Sequence, residues 1–398
     1  MSTDLLAIDQ ALELILEQAT PLAAEDVLAA DADGRYLAQS VTALLDLPPF
    51  TNSAMDGYAL RAADTPGALA VVGESAAGLP FPGTVTAGQA VTISTGAVLP
   101  DGADAVIPIE QVQRSGDPGA TIIVPVVEPG ANVRHRGGDL AVGSEVIAAG
   151  TRLGPPHLGA VISAGRAELR CARRPRVAIL TTGDELRPPG SPLAPGQIYD
   201  SNGPMLAAAL KRAGAEVSTV PAAADTPEAT RAAFAAALEH DVVISTGGVS
   251  VGPHDLVRGV GAELGVRELF WRVKMRPGKP LSFGMRGDTL VFGLPGNPVS
   301  VLVCCEMFVA PALAALQGAR HPRPNFARGT LTGPIRQNPE RDDLIRVTRD
   351  AGGRLTPVAG QQSHQLATSA RSDGLARIPT GTGELPAGSE VAYLPLFG

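Results

Sequence analysis

Three glycine-rich turns in this chain are built to approach an anion: TTGDEL at 181–186, STGGVSVG at 245–252 and GLPGNPVS at 293–300. In the second, Gly247, Gly248 and Gly252 let backbone N–H groups come close to a phosphate, while Ser245, Thr246 and Ser250 offer hydroxyls. The third leads into a helix opened by Pro298, where unpaired N–H groups favour negative charge. A single such glycine needs no function beyond making a tight turn. Three such turns, each after a strand end, point to a shared anion site. Neither GxGxxG nor GxxxxGK[ST] occurs, so a dinucleotide oxidoreductase or a Walker-type nucleotide hydrolase has no support.

Basic residues crowd WRVKMRPGKP at 271–280, where Arg276 and Lys279 flank the Pro277-Gly278 turn. Both could reach an anion held by the neighbouring turns; the alternative is a solvated charged turn. Carboxylates supply the other half: Asp56 in NSAMDGYA, Asp139 in RHRGGDL, Glu185 in GDEL, Asp225 before a helix and Asp255 in VGPHD. Asp225 could equally cap its helix and Asp56 form a turn. Two carboxylates ~4 Å apart would repel by ~4 kcal/mol at an effective dielectric of 20, so a true cluster needs a cation or protons. Oxygen-only ligands beside a phosphate point to Mg²⁺. His135, His157, His254 and His364 show no metal spacing and read as structural or surface residues. Cys171, Cys304 and Cys305 read as buried free thiols.

These turns need a scaffold, and the sequence supplies one. Apolar strands at 177–180, 216–220 and 242–244 alternate with helices at 204–212 and 227–238. Thr226 serves the second helix as N-cap and Pro227 as its first residue. That alternation predicts a parallel sheet covered on both faces, with ligands at the carboxyl ends of its strands. Further strands are expected at 281–283 and 290–292, then a long helix capped by Asn297 and kinked at Pro311. Residues 5–19 carry an amphipathic helix with Ile8, Leu12, Ile15 and Leu16 on one face. The expected architecture is a multidomain α/β chain: residues 1–45 with 149–172 as a discontinuous mixed linker domain, 46–148 as a β-rich insert, 173–325 as the α/β domain and 326–398 as a C-terminal β domain.

Composition narrows the function classes. The 398 residues are 44% hydrophobic and 18% charged, the balance of a globular chain. A formal charge of −8 argues against a surface that tracks nucleic acid. The N-terminus shows no signal-peptide pattern and no uninterrupted apolar span has membrane length, so no membrane partner and a cytoplasmic location are expected.

The motifs PPFTNSAMDGYALRAAD (48–64), GDEL with GQIYDSN (183–202), STGGVSVGPHD, MRPGKPLSFG and GLPGNPVS together resemble the molybdopterin molybdenumtransferase family, MoeA in bacteria and the gephyrin E domain in animals. The resemblance runs in order through essentially the whole chain. It implies a MoaB/Mog-like molybdopterin-binding domain at the centre and an elongated homodimer, with each active site between the α/β domain of one subunit and the β insert of the other. It also implies the reaction: molybdate enters adenylylated molybdopterin on its dithiolene sulfurs and AMP is released, with Mg²⁺ present. Asp56, Asp139, Glu185, Asp225 and Asp255 match the family's acidic groove, with Glu185, Asp225 and Asp255 as metal ligands. Thr182, Ser201, Asn202, Gly247, Gly248, Ser250, Gly252, Gly296 and Asn297 match substrate-binding positions, the glycine turns holding the pterin's phosphate end. Arg276, Pro277, Lys279, Ser300, Arg346 and Ser363 match positions around molybdate or the pterin phosphate.

This chain departs from the family pattern at three positions. Arg276 stands where lysine is common, Gly138 where glutamate is frequent and Pro253 where another acid is frequent. The neighbouring readings are the preceding adenylyl transfer to molybdopterin, which the α/β domain alone also resembles, and a gephyrin-like scaffold. Contact with other cofactor-synthesis enzymes is a further expectation from the resemblance.

Overall fold

The computed structural model describes residues 5–115, 121–220, 226–247 and 256–396. Helix α1 (Ile8–Gln18) opens with the Gln10 side chain accepting from the Ala7 N–H. Its apolar stripe, Ile8, Ala11, Leu12 and Ile15, is buried against the α/β unit described below. The chain then enters a small mixed unit in which strand Ala24–Leu28 pairs antiparallel with Glu168–Ala172, and Val41–Thr42 with Glu145–Ile147. Helix α2 (Pro155–Ser163) covers it, and Leu37, Val41, Leu153, Val161, Leu169 and Cys171 fill the core.

A β insert leaves and re-enters this unit through a two-stranded neck. Leu47 bridges Leu140, its N–H donating to the Leu140 carbonyl at 2.7 Å. Beside it, Asp46 accepts from Arg136 Nε at 2.6 Å and the Val142 N–H at 2.8 Å. Beyond the neck lies a six-stranded sheet in the order Ala105–Pro108, Gly57–Leu60, Gln89–Ile93, Gly67–Ser75, Thr121–Val124, Gln113–Ser115. Tyr58, Leu60, Leu69, Ile107, Ile122 and Val124 form its core.

The α/β unit is built on β1 (Arg176–Thr181), β2 (Glu216–Val220), β3 (Val242–Thr246), β4 (Arg267–Trp271), β5 (Ser282–Arg286) and β6 (Thr289–Leu294), in the spatial order β2-β1-β3-β6-β5-β4. Successive side chains alternate faces. Val177 and Ile179 join the core with α1, while Ala178 and Leu180 join Phe234, Val257 and Val260 on the opposite side. Strands β2, β1, β3 and β6 are parallel, as the alternation predicts. By contrast, β5 runs antiparallel to β6 and β4 antiparallel to β5, because Arg286 pairs with Thr289 across the two-residue Gly287-Asp288 turn, too short for a parallel crossover.

Helices α3 (Asn202–Arg212), α4 (Pro227–Ala237) and α5 (Leu256–Glu263) flank the sheet, and Thr226 caps α4 through Oγ1 as its sequence predicts. The last helix runs through α6 (Pro298–Cys304), a π-helical turn at Cys305–Val309, and α7 (Ala310–Leu316). Proline at 311 removes an N–H and its ring crowds the carbonyl of residue 307, so the predicted kink takes the form of a widened turn. By length and composition Pro298–Leu316 could cross a membrane, but 72% of it is buried inside the protein as its core helix.

In the C-terminal unit, strands Asp342–Arg349, Arg354–Pro357, Ala327–Leu331, Glu390–Pro395 and Gly374–Ile378 form a sheet that closes on itself, since the last also pairs with the first. Val347, Leu355, Ala376, Ile378 and Tyr393 fill it. A sixth strand comes from the α/β unit: Met275–Arg276 pairs with Asp342–Asp343. The basic segment is thereby fastened to a second unit.

Candidate active site

The sheet order reverses at β1, with β2 on one side and β3 on the other. The carboxyl ends of these strands therefore open a crevice where such folds bind ligands. A cavity of about 500 Å³ occupies it. Thr182 and Glu185 reach it from the loop after β1, Ser201 and Asn202 from the start of α3, Gly247 from the end of β3, and Gly296 and Asn297 from the loop after β6. The first and third turns and the described part of the second, Thr246 and Gly247, converge here. Gly247 has φ of +88°, and a Cβ there would stand 2.9 Å from the Thr182 carbonyl oxygen, so the close approach of β1 and β3 loops requires glycine.

Asn202 braces the crevice. Its Nδ2 donates to Thr246 Oγ1 at 3.0 Å and to the Gly296 carbonyl at 2.8 Å, joining all three loops. Its Oδ1 is buried, and no described residue donates to it. Such an acceptor is costly unless a ligand N–H or O–H meets it.

A second cavity, about 560 Å³, adjoins the first and shares Asn297 with it. Arg276, Pro277, Lys279, Ser300 and Ser363 all line it, as does Arg341, which the sequence reading missed. No carboxylate is among its described lining residues. Arg276 nevertheless forms an ion pair with Asp343 from behind the wall, leaving Lys279 and Arg341 to dominate the field. This basic chamber suits a small dianionic oxyanion.

Arg346 does not reach either chamber. It is 1% exposed, and its guanidinium donates to the carbonyls of Gly360, Gln362 and Gln365 and to Ser369 Oγ at 2.7–3.1 Å. All four acceptors belong to the loop and short helix that present Gln361, Gln362 and Ser363 to the basic chamber. In place of the expected contact with the substrate it supports a loop, its guanidinium being engaged by the carbonyls and hydroxyl of that loop and its short helix.

Asp56 and Asp139 lie on the insert side of the neck, exposed, and line neither chamber. The Thr95 N–H (2.7 Å) and hydroxyl (3.0 Å) both donate to Asp56 and hold its carboxyl below the usual range. Asp225, Gly248, Ser250, Gly252 and Asp255 lie outside the described residues. Within the crevice the sequence reading also missed Asp200, Tyr199 and His364. Position 364 had no local signal of its own, since only the fold brings it to the strand ends.

Family models cover the three parts in order: the MoeA N-terminal region (domain I and II) matches residues 6–165, a probable molybdopterin binding domain 178–315, and the MoeA C-terminal region (domain IV) 328–396. A molybdopterin molybdenumtransferase from Haemophilus influenzae is 35% identical over 98% of each chain. The chain belongs to the molybdopterin molybdenumtransferase family. A further family member, molybdopterin molybdenumtransferase 2 of Mycobacterium tuberculosis, is 37% identical over 90% of this chain and 92% of its own. The crystal structure of the molybdopterin biosynthesis moeA protein from Pyrococcus horikoshii OT3 superposes with a TM-score of 0.85 at 29% identity, covering 98% of this chain and all of that one. The fold is that of the molybdenumtransferase family throughout, with its central α/β unit, β insert, small mixed unit and C-terminal β unit.

Proposed function

We propose that this chain inserts molybdate into adenylylated molybdopterin and releases AMP. The observation that carries this reading is the junction of two unlike chambers at Asn297, one polar and open at the strand ends, the other basic and free of described lining carboxylates. Membership of the transferase family supports it.

In this reading the basic chamber holds the molybdate dianion between Lys279, Arg341 and the Ser300 and Ser363 hydroxyls. The crevice holds the phosphate-bearing end of the pterin, with the Gly247 and Gly296 turns close enough for backbone contact. Asn202 Oδ1 accepts from a ligand N–H or O–H. Holding both reactants across one shared wall converts an encounter into a positioned transfer. Each Mo–S bond formed displaces an oxo ligand, which takes up protons to leave as water; a water molecule adds across the pyrophosphate bond, freeing AMP and leaving the pterin its terminal phosphate.

Mg²⁺ belongs to this proposal. The crevice offers oxygen donors, among them the Glu185 and Asp200 carboxylates, and no lysine or arginine among its described lining residues, a donor set that suits a hard cation. No three metal-binding side chains converge among the described residues; Glu185 would hold the ion, and Asp225 and Asp255, the further ligands that the family resemblance implies, lie outside the described residues. Bound there, it would offset the charge of the phosphates.

A homodimer is the natural completion. Asp56 and Asp139 stand exposed outside both chambers, and Phe50, Met55 and Ile109 near Asp56, like Leu44 and Leu45 on the mixed unit, are exposed apolar groups. A second copy would cover them and bring its insert to the crevice.

Incubation with adenylylated molybdopterin, molybdate and Mg²⁺ should release AMP and yield cofactor that reconstitutes an apo-molybdoenzyme. Failure of both would overturn the reading. Consumption of ATP with unadenylylated molybdopterin would replace it by adenylyl transfer.

A further inference from the structure

We propose that His364 is a binding residue for the phosphate end of the substrate, and that Arg346 is its positioning residue. The inference rests on the functional reading above and adds a contact to it.

The crevice has two carboxylates among its described lining residues, Glu185 and Asp200, and His364 is the one basic side chain. A phosphate entering there meets local negative charge, so an imidazole N–H donor has a strong effect on affinity. The bland alternative is a surface imidazole, and exposure of His364 in the free protein agrees with either. The loop that carries it decides between them. Arg346 ties down residues 360, 362 and 365 from beneath. Gln365 Oε1 accepts from the Gln362 N–H at 2.9 Å, and the Ser363 carbonyl accepts from the Val299 N–H at 3.1 Å. That last bond fixes the loop to the first turn of α6, beside Asn297. A loop held at both ends and from below has one arrangement, and in it Ser363 faces the basic chamber while its neighbour His364 faces the crevice. One dipeptide of the C-terminal unit thus addresses both reactants.

The test measures binding of AMP, with Mg²⁺, and of molybdate to the full-length protein by titration calorimetry. His364→Ala should weaken AMP about tenfold, the loss of one hydrogen bond to a charged group, and leave molybdate binding unchanged. His364→Gln, which keeps an N–H donor, should recover part of that loss. Arg346→Lys should weaken AMP as well, yet add little further loss in a His364→Ala background, because the two act through one contact. Unchanged AMP affinity in His364→Ala would overturn the proposal while leaving the functional reading intact. Equal loss of AMP and molybdate would also overturn it, since the loop rather than the contact would have failed. Additive losses from the two substitutions would remove Arg346 from the positioning role. If the unsubstituted protein binds no AMP, the functional reading itself falls and takes this inference with it.

Discussion

Arg346 and Gln361 grip each other in both directions: the Arg346 N–H donates to Gln361 Oε1 at 2.9 Å, and Gln361 Nε2 returns a bond to the Arg346 carbonyl at 2.9 Å. The side chain thus behaves as a strand partner to residue 346, and it also lines the basic chamber. Gln361 Nε2 also donates to the Val358 carbonyl at 2.8 Å, so Gln361→Ala should lower stability by roughly 2–3 kcal/mol, the net worth of three hydrogen bonds. It should raise KM for molybdate more than it lowers kcat. Urea unfolding and steady-state AMP release measure the two effects separately.

Lys279 and Arg276 are not equivalent cations, although they flank the same turn. Arg276 is committed to Asp343, which is 2% exposed, whereas no described residue pairs with the Lys279 ammonium. Lys279→Gln should therefore weaken molybdate binding about tenfold or more with little change in stability. Arg276→Gln should do the reverse: a smaller loss of affinity and a loss of roughly 3 kcal/mol in stability, because a buried carboxylate is left unpaired. Titration of molybdate and thermal unfolding of both variants check the contrast.

Gly57 follows Asp56 in NSAMDGYA for a steric reason. A Cβ at 57 would lie 1.9 Å from the Ile107 carbonyl oxygen across the antiparallel pair Gly57–Leu60 and Ala105–Pro108. Gly57→Ala must break that pairing, so the insert should lose about 3 kcal/mol or more and Asp56 should leave its Thr95 donors. Hydrogen exchange confined to the insert, with little change in the α/β unit, is the expected signature.

Asp241 clamps the start of the central sheet. Burial opposes its ionisation, but bidentate bonds from Arg173 at 2.6 and 2.7 Å and the Arg176 N–H at 2.7 Å outweigh this and lower its pKa. A carboxyl with a depressed folded pKa contributes stability above its unfolded value, about 3.9, and loses that contribution as pH falls through the folded value. Stability should therefore decline on acidification below about pH 4. Asp241→Asn should lower the neutral plateau by roughly 2 kcal/mol and flatten that decline. Denaturation midpoints from pH 2.5 to 7 test it.

Local chemistry made much of this molecule legible. The parallel core strands, the Thr226 cap and the placing of TTGDEL, STG and GLPGNP at strand ends all follow from residue patterns that act over a few positions. What stayed hidden depends on contacts between distant segments. Helix α1 reads as amphipathic, but nothing in residues 5–19 says that its stripe packs beneath the α/β sheet. Met275–Arg276 reads as a turn's approach, and its role as a strand of the C-terminal sheet depends on Asp342 and Asp343, more than sixty residues on. Arg346 is charged and matches a binding position, yet its surroundings bury it against carbonyls. His364 has no motif at all, since its place in the crevice follows from the closure of a separate sheet.

The two-stranded neck at Leu47 and Leu140 has a consequence for how the chain reaches its native state. Because the ends of the insert meet at a hydrogen bond, the mixed unit sees some ninety intervening residues as a closed loop, and loop length adds only slowly to the entropy of closure. The insert can therefore melt and reform while its host stays folded, a cooperative module with its own unfolding transition. Folding of the host, which needs strands on both sides of the insert, need not wait for the insert to fold.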